Sequence, residues 1–538
     1  MLKTIRRLLA VIFFIGITAL FLDFSGTVQP LFGWMAKLQF LPSVLALSIV
    51  PIIIVVGITL LFGRIYCSAI CPLGVYQDIV AWIGKQKPFR SNKKAKLANK
   101  YSYSAPMTKL RLAVLVLFAA LMIIPGFNAI AIIIAPYSAY GRMASTILQP
   151  AYIAINNLLA DWAAANDSFA FYQVEPHNNP TILIVIAAVS AIILAILAFR
   201  NGRTYCNTIC PVGTVLGYVA KFSYFKIQVD NDACMHCGLC AKNCKAACIH
   251  IEKGQPAVID YTRCVSCGDC IPVCSKQAIK HAPLKKAAAQ ATEPTADSGI
   301  SRRNFLAITG TALAATAVKA QEKVTDGGYA AIADKEIPQR KTPITPPGSL
   351  SAKNLQQHCT ACQLCISNCP NGVLRPSTDL DHFMQPEVQY EKGYCRPECT
   401  RCSDICPAGA IRPISLDPAT AEADDLPSWA AKQTIQIGHA VWISKNCLPA
   451  AEGIPCGNCA RHCPVEAIQM VPMDKDIKMD AEGRCTDQDG NPVDRHTVTF
   501  IPAVNTEKCI GCGACENLCP VRPFSAIYVE GHEVHRDI

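Results

Sequence analysis

Residues 234–244 read CMHCGLCAKNC, and residues 264–274 read CVSCGDCIPVC. Each stretch has three cysteines spaced by two residues and a fourth spaced by three. In two-cluster ferredoxins with this spacing, three thiolates of one run hold one cubane and the fourth reaches the other. We therefore expect one [4Fe-4S] cluster on Cys234, Cys237, Cys240 and Cys274, and a second on Cys264, Cys267, Cys270 and Cys244. Cys244 precedes Lys245 instead of proline, and Cys248 is a candidate substitute for it.

Four further cysteine groups follow residue 350, and each ends in Cys-Pro. They are Cys359, Cys362, Cys365 and Cys369; Cys395, Cys399, Cys402 and Cys406; Cys447, Cys456, Cys459 and Cys463; and Cys509, Cys512, Cys515 and Cys519. Sixteen ligands suit four clusters, which brings the expected number in the chain to six. Fourth cysteines could be exchanged between neighbouring groups, or between the first and fourth and the second and third. Cys485 is left over and is expected to be a free or structural thiol.

The composition indicates a membrane protein with soluble parts. The chain has 538 residues, of which 51% are apolar, and 30 cysteines whose spacing fits cubanes better than disulfides or zinc. The net charge of +10 is concentrated beside apolar segments, which favours a membrane over nucleic acid. The sequence has no Cys-x-x-Cys-His for haem, no Rossmann glycine pattern and no P-loop, so nucleotide chemistry is not expected.

Four apolar runs precede residue 200, at residues 8–22, 44–62, 110–136 and 181–199. The last three are long enough to cross about 30 Å of hydrocarbon. The first is short, but it lacks a small-residue cleavage site and is interpreted as an anchor. The loop at residues 63–109 is rich in lysine and arginine, whereas residues 23–42 contain only Lys37. Because positive loops stay inside, the N-terminus, this loop and the chain after residue 199 are predicted to be cytoplasmic.

One phrase follows both the second and the fourth apolar run: GRIYCSAICPLG at residues 63–74 and GRTYCNTICPVG at residues 202–213. The repeat indicates a duplicated helix pair that carries Cys67, Cys71, Cys206 and Cys210 at the same depth. These thiols could bind a metal or cluster, form redox disulfides or be structural. Repetition of the motif favours a redox or metal role, and the species bound is open.

Residues 301–306 read SRRNFL and precede a run rich in threonine and alanine that ends near Ala320. This pattern is typical of a twin-arginine export signal, which would make the twin-arginine translocase a partner. Everything after the signal is then predicted to lie in the periplasm. If the chain is not cut near Ala317 or Ala320, residues 305–318 form a fifth transmembrane helix.

These patterns predict an α-helical membrane domain of four or five transmembrane helices, joined to α+β ferredoxin-like domains in the bacterial inner membrane. The predicted boundaries are a membrane domain at residues 1–222, a cytoplasmic two-cluster domain at 223–285, a linker at 286–300, the signal or fifth helix at 301–320, a second linker at 321–350 and a periplasmic four-cluster domain at 351–538.

Residues 1–285 resemble the NapH family of membrane ferredoxin-type proteins, through the apolar runs, the two Cys-x-x-x-Cys-Pro phrases and the first two cubane groups. Residues 301–538 resemble the exported NapG family, through SRRNFL and the four later groups. The chain is similar to a fusion of the two. The resemblance implies a quinol dehydrogenase that draws on the quinone pool and passes electrons through its clusters to a periplasmic c-type cytochrome and nitrate reductase.

Two other functions would need the same clusters: reductive maturation or maintenance of a periplasmic metalloenzyme, and electron donation to another reductase, as the resemblance to the NosR family implies. No quinone site is predicted. The outer-loop residues Tyr137, Tyr140, Arg142, Asp161, Glu175 and His177 are expected to be structural or solvated. About 30 Å of hydrocarbon would separate the inner from the outer clusters, and the four repeated thiols are expected only at the inner face.

Overall fold

The computed structural model describes residues 2–85, 101, 103–123, 128–168, 170–176, 179–252, 255–283, 325–326, 330–331, 333–415, 432–480 and 482–538. The predicted linker at 286–300, the twin-arginine segment at 301–320, the basic stretch at 86–100 and His177 lie outside the described residues.

The first 222 residues are mainly helical. In this described part, the helices Leu2–Leu22 and Thr181–Asn201 are long and apolar enough, by length and composition, to cross a membrane. We call them the first and the second long helix. The other helices are Gln29–Lys37, Phe40–Leu45, Ile49–Phe62, Pro72–Ile83, Thr108–Ile123, Asn128–Ile133, Pro136–Met143, Gln149–Ala164, Thr204–Thr208 and Pro211–Ala220, with π-helical turns at Tyr66–Ile70 and Ala144–Leu148.

Two of the four predicted spans are covered in the described residues by helices shorter than a full span. The run at 44–62 is divided at Leu47, whose φ of 50° ends one helix before Ile49–Phe62 begins. Of the run at 110–136, the described residues form the helices Thr108–Ile123 and Asn128–Ile133. Each piece is shorter than the roughly 20 residues of a straight span, so four full transmembrane helices are not confirmed.

The first long helix contacts both ferredoxin units of the chain, which we call the N-terminal unit, within residues 223–285, and the C-terminal unit, within residues 351–538. Near its start, Lys3 forms an ion pair with Asp269 of the N-terminal unit at 3.3 Å. Near its end, the carbonyl oxygen of Leu20 accepts a hydrogen bond of 2.9 Å from Asn368 of the C-terminal unit. At a rise of 1.5 Å per residue, these two contacts lie about 25 Å apart along the helix.

The second long helix connects the same two units in the opposite direction. Leu183, near its start, packs in one cluster with Met384 of the C-terminal unit. Just after its end, the backbone N–H of Arg203 donates to the carbonyl oxygen of Lys245 in the N-terminal unit, at 2.8 Å. The two ferredoxin units therefore lie at opposite ends of the pair of long helices.

Both copies of the repeated phrase have the same backbone. Gly63, with a φ of 74°, and Gly202, with a φ of 71°, end the preceding helices in a conformation that favours glycine. A cysteine then precedes each following helix, Pro72–Ile83 and Pro211–Ala220. Proline is well suited to the first helical position because its missing N–H would have no partner there.

A later glycine in each copy permits close packing. A Cβ on Gly74 would lie 2.1 Å from the carbonyl oxygen of Cys67, and a Cβ on Gly213 would lie 2.3 Å from that of Cys206. Both distances are far shorter than van der Waals contact. The two glycines therefore let each cysteine-bearing turn fold back onto the helix that follows it.

The N-terminal ferredoxin unit has two antiparallel strand pairs around one short helix, Leu239–Asn243. Phe225–Val229 pairs with Ile279–Pro283, and Ile249–His250 pairs with Val258–Ile259. The outer pair brings the start and the end of the unit together, and the two cysteine runs lie between the paired strands.

The C-terminal ferredoxin unit is built from short helices and strands. Its longest pairing joins Ile435–Trp442 to Ile527–Asp537, antiparallel. The other described strands after residue 320 are Thr325–Asp326 with Ala330–Ala331, Leu374–Pro376 with Pro386–Val388, Ile468–Pro472 with Phe500–Val504, and the sheet Lys478–Met479, Cys485–Thr486 and Pro492–Val493. The helices are Ala352–His358, Leu364–Ser367, Arg401–Ile405, Leu448–Glu452, Asn458–Arg461 and Ala514–Asn517, with 3-10 turns at Ser444–Asn446 and Arg495–Thr497.

Candidate iron–sulfur and electron-transfer sites

The N-terminal unit contains two cysteine-lined cavities. Site I is lined by Cys234, Cys237, Cys240 and Cys274, and site II by Cys244, Cys264, Cys267 and Cys270, together with Cys248. Each cavity thus combines three cysteines of one run with the fourth of the other. Cys240 and Cys244 lie at opposite ends of one short helical turn, so the two sites are neighbours.

Cys248 is a fifth thiol at site II. Its sulfur lies 3.5 Å from that of Cys244. Lys245, which stands where ferredoxins of this spacing have proline, forms ion pairs with Asp78 at 2.7 Å and Asp269 at 3.1 Å. The departure from Cys-Pro therefore has a structural reason: the lysine ties the N-terminal unit to the helical domain.

The first two groups of the C-terminal unit exchange their fourth cysteines. Cys406 lies within electrostatic range of the first group, which defines site III: Cys359, Cys362, Cys365 and Cys406. Cys369 in turn lies beside the second group, which defines site IV: Cys369, Cys395, Cys399 and Cys402.

The last two groups follow the same rule. One cavity, site V, is lined by Cys447, Cys456, Cys459 and Cys519. Site VI combines Cys509, Cys512 and Cys515 with Cys463. Of the two exchange patterns that the sequence left open, the positions of these cysteines fit exchange between neighbouring groups. Cys485, by contrast, is buried in the three-stranded sheet, away from these sites.

The chemistry of these pockets fits a metal centre. Burial raises the pKa of Cys267 in site II to about 12, and burial likewise raises the pKa of Cys512 in site VI to about 12. Such thiols stay protonated near neutral pH unless a bound cation compensates the thiolate charge. In the described part of the chain, no three His, Cys, Asp or Glu side chains are arranged around a single metal ion. The cysteine groups instead have the sequence spacing of cubane ligands.

The repeated phrases converge on one further group, the central site, made of Cys67, Cys71, Cys206 and Cys210. All four side chains are buried, and their charges are within range of one another. Four donors contact the sulfurs. Gln77 and Arg203 reach Cys206 at 3.3 and 4.0 Å, the backbone N–H of Gly213 reaches Cys210 at 3.3 Å, and Arg64 reaches Cys67 at 3.8 Å.

The central site lies between the two ferredoxin units. Toward site II, Arg64 contacts the carbonyl oxygen of Thr262 at 3.1 Å and is within electrostatic range of Cys264. Toward site III, the buried Tyr137 is in range of Cys362, Cys406 and Tyr66, the neighbour of Cys67 in sequence. The four thiols therefore lie near the N-terminal unit, and buried tyrosines lie between them and site III.

The sites of the C-terminal unit continue this series. Cys365 of site III is in range of Cys402 of site IV. The backbone N–H of Cys395 in site IV donates to the carbonyl oxygen of Cys512 in site VI, at 2.9 Å. Cys515 of site VI is in range of Cys459 of site V. The spatial order is I, II, central, III, IV, VI, V.

Three of the residues that the sequence analysis placed in outer loops are buried in the structure. Tyr137, Tyr140 and Arg142 are fully buried where the helices meet site III, and Arg142 donates to the carbonyl oxygens of Ile132 and Ile133 at 3.2 and 2.9 Å. Arg142 is thus structural, one of the two roles expected for it, and its neighbour Gly141 packs against the backbone of Cys362 in the C-terminal unit. No motif in the sequence indicated this burial. Asp161 accepts a hydrogen bond from Gln173, and Glu175 lies on the surface 3.9 Å from Lys392.

Comparisons with known families agree with iron–sulfur chemistry along much of the chain. A family described as a 4Fe-4S binding domain matches residues 44–90 and again 182–229, the two segments that contain the repeated phrase. Two families described as 4Fe-4S dicluster domains match residues 260–373 and 454–522.

Individual relatives are ferredoxin-type proteins. The methylamine utilization ferredoxin-type protein MauM of Methylobacillus flagellatus is 28% identical over 186 residues, 33% of this chain and 64% of the relative. The ferredoxin-type protein NapG of Escherichia coli is 27% identical over 214 residues, 36% of this chain and 76% of NapG. NapF of the same species is 26% identical over 189 residues, 35% of this chain and 87% of NapF. The match thus spans a little under two thirds of MauM, and no solved structure matches the chain. The chain is thus similar to the ferredoxin-type proteins MauM, NapG and NapF over about a third of its length.

Proposed function

We propose that this protein transfers electrons across a bacterial inner membrane, from quinol to a periplasmic acceptor. The observation that carries the proposal is the uninterrupted order of cysteine sites from one ferredoxin unit, through the central site, to the other. A [4Fe-4S] cluster at such a site takes up and releases single electrons. The cysteines would hold these centres in series, and the buried tyrosines between the central site and site III would keep water out of the path.

The two long helices support a membrane location. Val185, Ile192 and Ile193 of the second long helix are more than half exposed, which suits lipid better than water. The ferredoxin units at opposite ends would then lie on opposite faces. In this arrangement the N-terminal, NapH-like part is cytoplasmic at its ferredoxin unit, and the twin-arginine segment directs the C-terminal, NapG-like unit to the periplasm.

A groove beside site II is where we propose that quinol binds. It has a volume of about 770 Å³ and lies between the first long helix, the helix Pro72–Ile83 and the N-terminal unit. Val11 and Trp82 supply apolar surface, while Asp78, Lys245 and Asp269 supply polar groups at one side. Oxidation of one quinol releases two protons to the aqueous face and two electrons, which would enter site II one at a time.

The acceptor follows from the relatives of the C-terminal unit. The likeness to NapG and NapF supports a periplasmic c-type cytochrome and the periplasmic nitrate reductase as the destination. The likeness to MauM, whose name refers to methylamine utilization, favours a second candidate: electron donation to, or reductive maturation of, another periplasmic metalloenzyme. Activity of reconstituted nitrate reductase with the purified protein as its electron source separates the two.

The test of quinol oxidation is an anaerobic EPR titration of the full chain in detergent with a reduced menaquinol analogue. We expect signals from sites III to VI to appear when the analogue is added. Cys67→Ala and Cys206→Ala should leave those clusters assembled but unreduced, whereas Cys485→Ala should behave as wild type. Val11→Trp, which narrows the groove, should raise the concentration of the analogue that is needed to reduce the clusters. Normal reduction in the Cys67 and Cys206 variants would contradict the proposed path.

A further inference from the structure

We propose that Cys67, Cys71, Cys206 and Cys210 together hold one [4Fe-4S] cluster, the seventh of the chain. The inference deepens the proposed function, on which it rests for the role of the site but not for the identity of what binds there. It differs from the sequence-based expectation of six clusters, in which these thiols had no assigned occupant.

Neither copy of the repeat can supply a cluster alone. The two segments that match the 4Fe-4S binding domain, residues 44–90 and 182–229, contain two cysteines each. A cubane of this type takes four cysteine ligands. The structure brings the two pairs together in one buried group, so the duplicated phrase forms a single site at the junction of its two copies.

The two copies are joined by reciprocal arginine contacts. Arg64 of the first copy donates to the carbonyl oxygen of Cys206 at 3.1 Å. Arg203 of the second copy donates to the carbonyl oxygen of Cys67 at 2.5 Å. Each guanidinium therefore lies beside a cysteine of the other copy, and positive charge is present on both sides of the four thiols.

The charge of Arg64 favours a negative group at this site. Arg64 is 0% exposed, and its guanidinium donates to Asn207 Oδ1 at 2.8 Å, to two carbonyl oxygens and to the sulfur of Cys67. Within the described ranges, no carboxylate forms an ion pair with it, and its Nε has no hydrogen-bond partner. Arginine stays charged in proteins, and a buried charge without a counter-ion is strongly destabilising.

Only an occupant with net negative charge would balance the charge of Arg64. Four neutral thiols or two disulfides would leave Arg64 with no anion in direct contact, since Cys264 of site II is within electrostatic range but forms no contact with it. A cubane with four thiolate ligands carries net negative charge and would lie directly beside it. The hydrogen bonds from Gln77 and from Gly213 to the sulfurs are of the kind that surrounds iron–sulfur clusters and adjusts their potentials. A zinc ion on four thiolates would also be anionic, so the test must distinguish it.

The first experiment compares the composition of the full chain, purified anaerobically, with that of the quadruple variant Cys67→Ser, Cys71→Ser, Cys206→Ser and Cys210→Ser. We expect the variant to lose about four iron atoms and four acid-labile sulfides per chain, the content of one cubane, without loss of zinc. Cys485→Ser is the control and should lose none. Unchanged iron, loss of zinc alone, or disulfides found among the four cysteines by mass spectrometry would overturn the assignment.

A second experiment decides the question if the quadruple variant does not accumulate. Arg64→Gln removes the positive charge but leaves all four cysteines in place. We expect one component of the EPR redox titration to move to a more negative potential, because the added electron loses a nearby cation. Arg64→Lys should restore most of the shift. The same potentials in all three proteins would overturn the proposal. A seventh cluster that quinol does not reduce would contradict the proposed function and leave this inference intact.

Discussion

Cys244 and Cys248 both point toward the same corner of site II, with their sulfurs 3.5 Å apart. The ferredoxin spacing makes Cys244 the ligand, so we expect Cys244→Ser to lower the iron and sulfide content by up to one cubane. Cys248→Ser should keep the full iron and sulfide content, because in this assignment the thiol of Cys248 packs beside the ligands without binding iron. Iron and sulfide analysis with EPR measures both. The reverse result would make Cys248 the fourth ligand.

Asp78 is the anion that joins the first long helix, the repeat and the N-terminal unit. It forms ion pairs with Arg6 at 3.1 Å, Arg203 at 2.8 Å and Lys245 at 2.7 Å. Asp78→Asn leaves three buried cations without this partner, and we expect a loss of about 3–5 kcal/mol in unfolding free energy. Thermal unfolding in detergent measures it as a lower midpoint. Glu175→Gln, at an exposed carboxylate, is the control and should change little.

The carboxyl group of Asp78 also makes the stability of the fold depend on pH. Burial alone would raise the pKa of Asp78, but Arg203 and Lys245 outweigh burial and hold the pKa below its ordinary value near 4. A lowered pKa in the folded state means that the stabilisation is complete above the unfolded value and is lost as pH falls through the folded value. Wild type should therefore lose stability in acid more steeply than Asp78→Asn. Parallel acid profiles would contradict this assignment.

At the scale of elements, the two turns of the repeat depend on glycine for their packing. Gly74→Ala and Gly213→Ala would each place a Cβ against the carbonyl oxygen of a central-site cysteine, at 2.1 and 2.3 Å. We expect both variants to lose the occupant of the central site and to unfold at lower temperature. Gly57→Ala, in the helix Ile49–Phe62, is the matched control, because no atom lies within 4 Å of the added Cβ. Iron analysis and thermal unfolding measure the difference.

At the scale of the whole molecule, we expect the two halves to stay associated without a covalent link. Gln149 donates to the carbonyl oxygen of Ser367 at 2.8 Å, and Arg401 donates to that of Ser25 at 2.7 Å. To test this, a protease site is inserted at residues 286–300 and the purified chain is cut there. Size-exclusion chromatography in detergent then shows whether the two halves remain together.

A matched pair of variants tests the same interface. A Cβ on Gly141 would lie 2.3 Å from the carbonyl oxygen of Cys362, so Gly141→Leu should separate the cut halves. Gly33→Leu, where the nearest atom to the Cβ is 3.8 Å away on a flexible glutamine, should not. Separation of the wild-type halves after cutting would show that the described contacts are too weak to hold the units together.

The grouping of cysteines within one run was easier to predict from the sequence than the way in which separate runs pair in space. Spacing within a run limits which sulfurs reach one cubane, so the grouping of Cys234 with Cys237 and Cys240 follows from local chain geometry. Exchange of Cys369 and Cys406 depends on how separate segments fold together, which spacing does not encode. The same holds for the surroundings of Arg142, whose neighbour Gly141 packs against Cys362, more than two hundred residues later in the chain. The apolar run at 44–62, finally, is longer than its helix because Leu47, with a φ of 50°, interrupts it.

The first long helix is held at both ends, by Asp269 near its start and by Asn368 near its end. A transmembrane helix with free ends adapts to a thicker or thinner bilayer by tilting. A helix fastened to two folded units cannot tilt alone. In the arrangement proposed here, the bilayer thickness that its apolar stretch spans is therefore fixed. Lipids around the protein must then stretch or compress to match it. Membranes of different thickness would therefore strain the lipid annulus while the spacing between the two sets of redox centres stays the same.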